Sequence, residues 1–468
     1  MAIKSKVFRN FLALGSGEAL SRVIAFAATV YLARLFGAEG FGVVVFAIAI
    51  NLYLMKVVEF AIEWSGTEAV TKDPSMIPAL ASAILCARLL LAIIIIIISA
   101  SVTWWVLPEP ERSTLLIYLL VLIPVALNTK WVHVGLEDTR PVGLSRVLGE
   151  TLSLIIILGL VHSKGDIWVA PVAQICGETF IAIMLISVLR KNSYKFNLQW
   201  NPKVAFPVFR KAMPLLGHML MGLFIYNSDM IFLRLFHDST NVGLYSVSYT
   251  LISFIANLGL AYGMSLLPAF THATNTKIEE TKLYQNSLAQ IFAVSLPLTI
   301  GGFILAPNII EFVFGEGYSA SILALQLLMW SVPANLIRLS PWSALIARNH
   351  QGFLFKAIVY AAVANIILNL LLIPNYGIVG AAIATIITEI IISAIMLTYA
   401  SNIGLTFLPM SRFVRAIISG IGMAAVMYAF SPLNLFIGIA LGGAVYILLL
   451  SITGGIKYKK GTMPTLNV

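Results

Sequence analysis

Long apolar segments recur along almost the whole chain, and they constrain the fold more than any other feature of the sequence. A helix needs about 20 apolar residues to cross the hydrocarbon core of a bilayer. Charged residues make up only 11% of the 468 residues, against roughly 25% in soluble domains. The chain is therefore predicted to be an all-α integral membrane protein with about 14 transmembrane helices. The predicted spans are residues 10–33, 41–64, 79–103, 114–135, 141–161, 166–189, 211–236, 241–269, 285–305, 319–347, 352–373, 377–402, 412–430 and 432–453.

The basic residues predict how these helices are oriented. If the N-terminus lies in the cytoplasm and the spans alternate, 22 of the 30 Lys and Arg residues fall in cytoplasmic segments, 4 on the opposite side and 4 inside spans. Because cytoplasmic loops are enriched in Lys and Arg, both termini are expected inside, with a basic tail at Lys457, Lys459 and Lys460. The same bias explains the net charge of +10 without nucleic acid as a partner. The first span starts like a signal peptide, but it is too long and lacks a cleavage site, so it is expected to remain.

Two internal similarities, about 200 residues apart, predict a repeat. Residues 34–36 and 234–236 both read RLF at the end of a span, and 173–178 (AQICGE) matches 384–389 (ATIITE). Two lobes of similar topology are typical of transporters, whose sites lie near the bilayer midplane. The predicted parts are an N-terminal six-helix lobe at 1–200, a C-terminal six-helix lobe at 201–402, and two additional transmembrane helices with the basic tail at 403–468.

Eleven ionisable residues fall inside the predicted spans. Facing lipid they would together cost roughly 30 kcal/mol, so they must face protein or water. The acids are Glu18, Glu59, Glu63, Glu150, Glu178, Asp229 and Glu389, and the bases are Arg22, Lys56, Arg88 and Arg338.

The four bases are the candidate substrate-binding residues, because buried bases beside a water-filled cavity attract phosphate. Glu18, Glu59 and Asp229 are candidate coupling or protonation sites. Structural alternatives stay open: Glu18 and Arg22, four residues apart, could form a structural ion pair, and Arg88 could extend to the membrane surface. Glu178 and Glu389 are favoured as helix–helix contacts, because they occupy repeat-related positions.

Several chemistries lack their sequence signatures. The six histidines are scattered, and no HExxH or CxxC motif is present, so no metal site is expected. There is no P-loop and no GxSxG elbow, and no cofactor is expected. Cys86 and Cys176 lie in apolar runs and are expected to be small core residues.

Four motifs together resemble those of bacterial polysaccharide transporters. They lie at the expected spans and are residues 32–42 (LARLFGAEGFG), 229–233 (DMIFL) continuing to 242–245 (VGLY), 314–318 (FGEGY) and 369–382 (NLLLIPNYGIVGAA). The resemblance is to O-antigen and polysaccharide-repeat flippases of the Wzx type. That family lies within the multidrug/oligosaccharidyl-lipid/polysaccharide exporter superfamily.

The resemblance implies a function and a partner. Such proteins move undecaprenyl-diphosphate-linked oligosaccharides from the cytoplasmic to the periplasmic leaflet of the bacterial inner membrane by alternating access, around a cationic cavity. Arg22 is the best match to a diphosphate-binding arginine of this family. In the second lobe, Arg338 is the one base that matches the cavity bases of the family. H⁺ or Na⁺ is the expected coupling ion, and other polysaccharide-assembly proteins are conceivable partners besides membrane lipid.

Three alternatives remain. A cation-coupled multidrug exporter of the same fold would need an apolar or acidic cavity instead of bases. A lipid II-type flippase would share the fold and the charge of the substrate. A membrane enzyme that modifies glycan would need a catalytic acid pair in an external loop, for which Glu109 and Glu111 are the obvious candidates; they are more simply interpreted as a solvated turn beside two prolines.

Overall fold

The computed structural model describes residues 2–273, 277–406, 410–432, 434–457 and 465–466, with the predicted tail residues Lys459 and Lys460 outside this set. The described chain is almost entirely helical, apart from an antiparallel pair of two-residue strands, β1 (Ile456–Lys457) and β2 (Thr465–Leu466). This confirms the predicted all-α class. The helices are α1 (Ala2–Glu59), α2 (Ile62–Lys72), α3 (Ile77–Val106), α4 (Glu111–Leu119), α5 (Leu122–Ala126), α6 (Lys130–Gly135), α7 (Arg140–Leu160), α8 (Val169–Lys191), α9 (Pro202–Phe236), α10 (Ser239–Ala273), α11 (Lys277–Ile304), α12 (Ala306–Phe314), α13 (Ile322–Met329), α14 (Ser331–Ile337), α15 (Leu339–Ala347), α16 (Gln351–Asn402), α17 (Met410–Ala429) and α18 (Leu435–Ile452).

The two longest helices are each divided by a glycine. Gly37 breaks α1 with φ 69° and ψ 179°, and Gly377 breaks α16 with φ 52° and ψ −128°. Glycine enters this positive-φ region without the steric cost that a Cβ brings. Both glycines belong to the sequence motifs of residues 32–42 and 369–382, so each motif contains the break in a long helix.

Within the described residues, eleven helices are long and apolar enough to cross a membrane, or twelve when the bent pair Glu316–Met329 and Ser331–Ala347 counts as one span. The protein is thus a multi-pass membrane protein. Two of the twelve contain the breaks at Gly37 and Gly377, and dividing them there gives the 14 spans that the sequence predicts. The number of crossings and the position of both termini inside stay predictions.

The chain divides into two compact units, residues 1–223 and 224–468, with the boundary inside α9. In the first unit, α1 packs against α7, and α7 packs against α8. The helices approach closely at glycines: a Cβ on Gly17 would lie 2.7 Å from the Cα of Gly143, and one on Gly177 would lie 2.8 Å from the carbonyl oxygen of Gly149. Small residues at helix crossings of this kind let membrane helices pack backbone against backbone.

In the second unit, α17 and α18 pack against each other and against α11. Met423, Met427 and Tyr446 form an apolar cluster there, and the Tyr446 hydroxyl donates to the carbonyl oxygen of Ala293 at 2.8 Å. These two helices, predicted as additions to a twelve-span repeat, thus belong to the second compact unit. The division into parts at residues 200 and 402 stays a prediction.

The glycine crossing between α1 and α7 yields a stability test. Gly17→Ala should lower the thermal midpoint of the purified protein in detergent, because the new methyl group meets only backbone atoms of Gly143; overpacking of this kind costs about 1–3 kcal/mol. Gly15→Ala is the matched control, since a Cβ at Gly15 has no neighbour within 4 Å. Equal midpoints for the two variants would show that the helices do not cross at Gly17.

Candidate functional site

The first unit contains a cavity of about 460 Å³. It lies among α1, α2, α6, α7 and α8, and the close glycine crossings hold three of these helices together beside it. Its wall contains eight charged residues among apolar ones, although the helices themselves are largely apolar. The charged residues that line it are Glu18, Lys56, Glu59, Glu63, Lys130, Arg146, Glu150 and Glu178.

Each base in this wall contacts a carboxylate. Lys56 Nζ lies 2.5 Å from Glu59 on the same helix, and Lys130 Nζ lies 3.1 Å from Glu63. Arg146 connects α7 to α8, because its guanidinium contacts both Glu150 (3.1 Å) and Glu178 (2.9 Å). The wall therefore holds five carboxylates and three bases, which differs from the cationic cavity expected from the sequence.

Arg22 lies at the edge of the cavity, next to the charged residues that line it. Its guanidinium lies 3.1 Å from the Glu18 carboxylate, and both side chains are about half exposed (46% and 48%). Glu18 lines the cavity, but Arg22 is not among the lining residues. The ion pair predicted from the four-residue spacing is thus present, with Arg22 accessible at one end of it.

Arg88 is placed differently from the other predicted bases. It is only 3% exposed, and its guanidinium donates to the backbone carbonyls of Val58 (3.2 Å), Asn128 (3.1 Å) and Val125 (2.6 Å). Val58 lies in the last turn of α1, where carbonyls lack helical partners, whereas the Val125 carbonyl also accepts from the backbone N–H of Asn128 at 3.2 Å. Arg88 therefore ties three chain segments together and does not line the cavity. This geometry favours a structural role for it.

Arg338 belongs to the second unit. Its side chain donates to Glu389 (3.1 Å) and to the Tyr226 hydroxyl, and Asn335 donates to the other Glu389 oxygen at 3.0 Å. Glu389 is 3% exposed. Glu178 in the first unit and its repeat-related counterpart Glu389 thus each hold an arginine of another helix, as expected for helix–helix contacts.

Asp229, also in the second unit, is fully buried. Its carboxylate accepts hydrogen bonds from Asn369 (2.6 Å), Tyr245 (2.7 Å) and Thr385 (2.9 Å). All three donors are uncharged, and among the described side chains no Lys or Arg forms an ion pair with Asp229. The Oδ1 atom of Asn369 is also buried and has no hydrogen-bond partner among the described residues. Asp229 is therefore a buried acid without a compensating positive charge.

The comparison with known families places this geometry in context. The family described as "Polysaccharide biosynthesis protein" matches residues 7–274, more than half of the chain. The chain belongs to this family. The match confirms the resemblance that the four motifs predicted.

Individual relatives of this chain are similar to it at low identity. The putative O-antigen transporter of Escherichia coli strain K12 is 22% identical over 418 residues, covering 85% of this chain and 98% of that protein. A probable low-salt glycan biosynthesis flippase of Haloferax volcanii is 25% identical over 234 residues, 48% of this chain and only 50% of that protein.

Solved structures with the same fold include two kinds of transporter. The lipid II flippase MurJ, in an inward closed conformation, aligns with a TM-score of 0.80 at 18% identity and covers 94% of this chain and 98% of its own. An inward-facing multidrug resistance transporter of the MATE family aligns with a TM-score of 0.66 at 12% identity, over 82% of this chain and 94% of its own. At these identities the likeness shows the fold alone.

Of the seven predicted site residues, Glu18, Lys56 and Glu59 line the same cavity. Arg22 lies next to this cavity, in contact with Glu18. Arg88 lies elsewhere in the first unit, and Arg338 and Asp229 belong to the second. Arg146 and Lys130 were not predicted as site residues, because both lie near the ends of predicted spans and were counted with the cytoplasmic basic residues. The spacing of Arg146 and Glu150, four residues apart as for Glu18 and Arg22, is a signal that could have revealed the first of them.

The contrast between Arg88 and Arg22 can be tested by thermal unfolding in detergent. Arg88→Gln should lower the unfolding midpoint strongly, since leaving buried carbonyl groups without a donor costs about 1–3 kcal/mol for each group. Arg22→Gln should leave the midpoint nearly unchanged, because exposed ion pairs contribute roughly 0–1 kcal/mol. The structural assignment of Arg88 fails if both variants unfold like the parent protein.

Proposed function

We propose that this protein carries an undecaprenyl-diphosphate-linked oligosaccharide, the repeat unit of an O-antigen or another surface polysaccharide, from the cytoplasmic to the periplasmic leaflet. The transport would proceed by alternating access in a bacterial inner membrane. The family match over residues 7–274 carries this proposal. It is supported by the relatives named as an O-antigen transporter and a glycan biosynthesis flippase, and by a charged cavity inside apolar helices.

The bases of the cavity supply the chemistry that a diphosphate requires. Guanidinium and ammonium groups form charge-assisted hydrogen bonds with phosphate oxygens, and Arg146, Lys130 and Lys56 present three such groups. Each already contacts a glutamate. Binding of the diphosphate is therefore an exchange reaction, in which phosphate oxygens replace carboxylate oxygens around the bases.

This exchange has a useful consequence for transport. A carrier that held its anion with unpaired bases would release it slowly, whereas competing carboxylates weaken the bound state and favour release. Arg22 with Glu18 supplies a fourth pair of the same kind at the cavity edge, and there the guanidinium is accessible to an arriving headgroup.

Binding of the lipid-linked oligosaccharide should therefore respond in opposite directions to two neighbouring changes. Arg146→Gln should weaken binding of an undecaprenyl-diphosphate oligosaccharide by about tenfold or more, since a hydrogen bond to a charged group contributes about 1.5–3 kcal/mol. Glu178→Gln should strengthen binding, because it removes a competing charge while Arg146 keeps its contact with Glu150.

The measurement uses purified protein in proteoliposomes, with equilibrium binding and transbilayer movement of a fluorescent lipid-linked oligosaccharide followed in parallel. Thermal midpoints confirm that the variants are folded. If the parent protein moves the lipid no faster than protein-free vesicles, the proposed function is wrong; if both variants bind equally weakly, the exchange mechanism is wrong.

Asp229 is the proposed coupling residue. Glu18 and Glu59, the other candidates, contact Arg22 and Lys56, whereas Asp229 is surrounded by uncharged donors and lies beside the unpartnered Oδ1 of Asn369. A buried carboxylate without a positive partner gains stability by taking up a proton or a small cation. Moving one such charge through the membrane potential releases about 2.3 kcal/mol per 100 mV.

Asp229→Asn keeps the size of the side chain and its ability to form hydrogen bonds but removes its charge. It should therefore abolish the dependence of transport on ion gradients. We expect the parent protein to accelerate in vesicles with an imposed H⁺ or Na⁺ gradient, and the variant to move lipid at one slow rate under all gradients. Comparing the two gradients identifies the ion. A variant that still responds to either gradient like the parent protein contradicts the assignment of Asp229.

A cation-coupled multidrug exporter is a second candidate, and one specific observation favours it. The cavity wall has more carboxylates than bases, which suits a cationic drug better than an anionic lipid. A deletion strain distinguishes the two functions: loss of surface polysaccharide with unchanged drug susceptibility supports the flippase, and the reverse result supports the exporter.

A further inference from the structure

The connection between α8 and α9 is the most basic part of the described chain. Residues 190–211 contain six Lys or Arg residues and no Asp or Glu. Lys211 pairs with Glu68 at 2.5 Å. Among the described side chains, none of the other five bases forms an ion pair with a carboxylate. They are Arg190, Lys191, Lys195, Lys203 and Arg210, and all are exposed.

This connection is held in a defined place on the first unit. Ser82 of α3 accepts a hydrogen bond from the backbone N–H of Gln199 at 3.0 Å and donates to the carbonyl oxygen of Asn197. Phe196 is buried in the apolar core that includes Ile84 and Trp131. The exposed side chains around these attachments are therefore presented in a fixed arrangement.

The first turns of α9 have two opposite faces. Ala205, Val208 and Ala212 are buried and, at spacings of three and four residues, form one face. Lys203, Phe206, Arg210 and Met213 have the same spacing on the other side, where Phe206 is 67% and Met213 61% exposed. This outer face thus alternates bases with large apolar groups.

Trp200, 56% exposed, immediately precedes the helix. We define the basic–apolar face as Lys195, Trp200, Lys203, Phe206, Arg210 and Met213. Its location relative to the bilayer follows from its neighbours: α8 and α9 are both candidate spans, ending at Lys191 and beginning at Pro202. The face thus lies at the start of one candidate span and within a few residues of the end of another.

We propose that the basic–apolar face is a binding surface for anionic phospholipids of the adjacent leaflet. The bases contact the phosphates of the headgroups, while Trp200, Phe206 and Met213 enter the boundary between headgroups and acyl chains. Aromatic rings prefer this boundary, and basic clusters next to transmembrane helices attract anionic lipid.

The combination of side chains selects this ligand. A soluble anion would satisfy the bases but would leave the ring of Phe206 and the thioether of Met213 in water, at a cost proportional to their apolar area. A zwitterionic lipid would cover the apolar groups, but its headgroup brings its own positive charge to the bases. An anionic phospholipid pairs with the bases and also covers the apolar side chains.

The test measures lipid binding to the purified full-length chain in neutral detergent by native mass spectrometry. The probes are phosphatidylglycerol, phosphatidylcholine and inorganic phosphate. The parent protein should bind phosphatidylglycerol at least tenfold more tightly than either other probe. The triple variant Lys195→Gln, Lys203→Gln, Arg210→Gln should lose that preference, since each base near an anionic surface contributes about fivefold in affinity.

The matched control removes three exposed bases elsewhere, with Arg140→Gln, Lys164→Gln and Lys356→Gln, and should change the affinity less than threefold. The double variant Trp200→Ala, Phe206→Ala should weaken phosphatidylglycerol binding and leave phosphate binding unchanged. Thermal midpoints establish that all variants are folded.

The proposal is overturned if the control triple variant weakens binding as much as the test triple variant, because net charge alone then explains the effect. It is also overturned if phosphate binds as tightly as phosphatidylglycerol, or if the parent protein shows no preference between the two phospholipids. Because this assay involves no transported substrate, its result is independent of the proposed flippase function.

Discussion

Each of the four bases that the sequence places inside apolar spans forms an ion pair or hydrogen bonds with groups of its own compact unit. Arg22, Lys56 and Arg338 contact glutamates, and Arg88 contacts three backbone carbonyls. An uncompensated charge in a membrane helix costs several kcal/mol, so these contacts make the charged spans possible. They also limit what the charges can do, because a paired base binds a ligand only by exchange.

The two units use their charges in different ways. In the first, carboxylates and bases line a cavity, and the glycine crossing at Gly177 brings α7 and α8 close enough to form the ion pair between Arg146 and Glu178. In the second, Asp229 is buried among uncharged donors. A wall of exchangeable ion pairs can offer its bases to an anion, and a lone buried acid is suited to a proton or a small cation. The proposed carrier needs both.

The sequence predicted the membrane class, the family and the ends of spans near Gly37 and Gly377, because each depends on a local signal. Apolar length identifies spans, and Gly37 and Gly377 lie in motifs whose conformation requires glycine. The cavity was predicted less well. Whether Arg88 faces a cavity or three carbonyls depends on the neighbouring α1 and α5, which no local pattern reveals. Arg146 was overlooked because a base near the start of a span resembles a loop residue until the helix boundary is known.

The most direct test of the central claim is a structure determined by electron cryo-microscopy with a bound undecaprenyl-diphosphate oligosaccharide. The account predicts phosphate oxygens within about 3 Å of the Arg146 guanidinium, with Glu178 displaced from its present contact. A diphosphate bound outside this cavity, with the pair between Arg146 and Glu178 intact, would contradict the account.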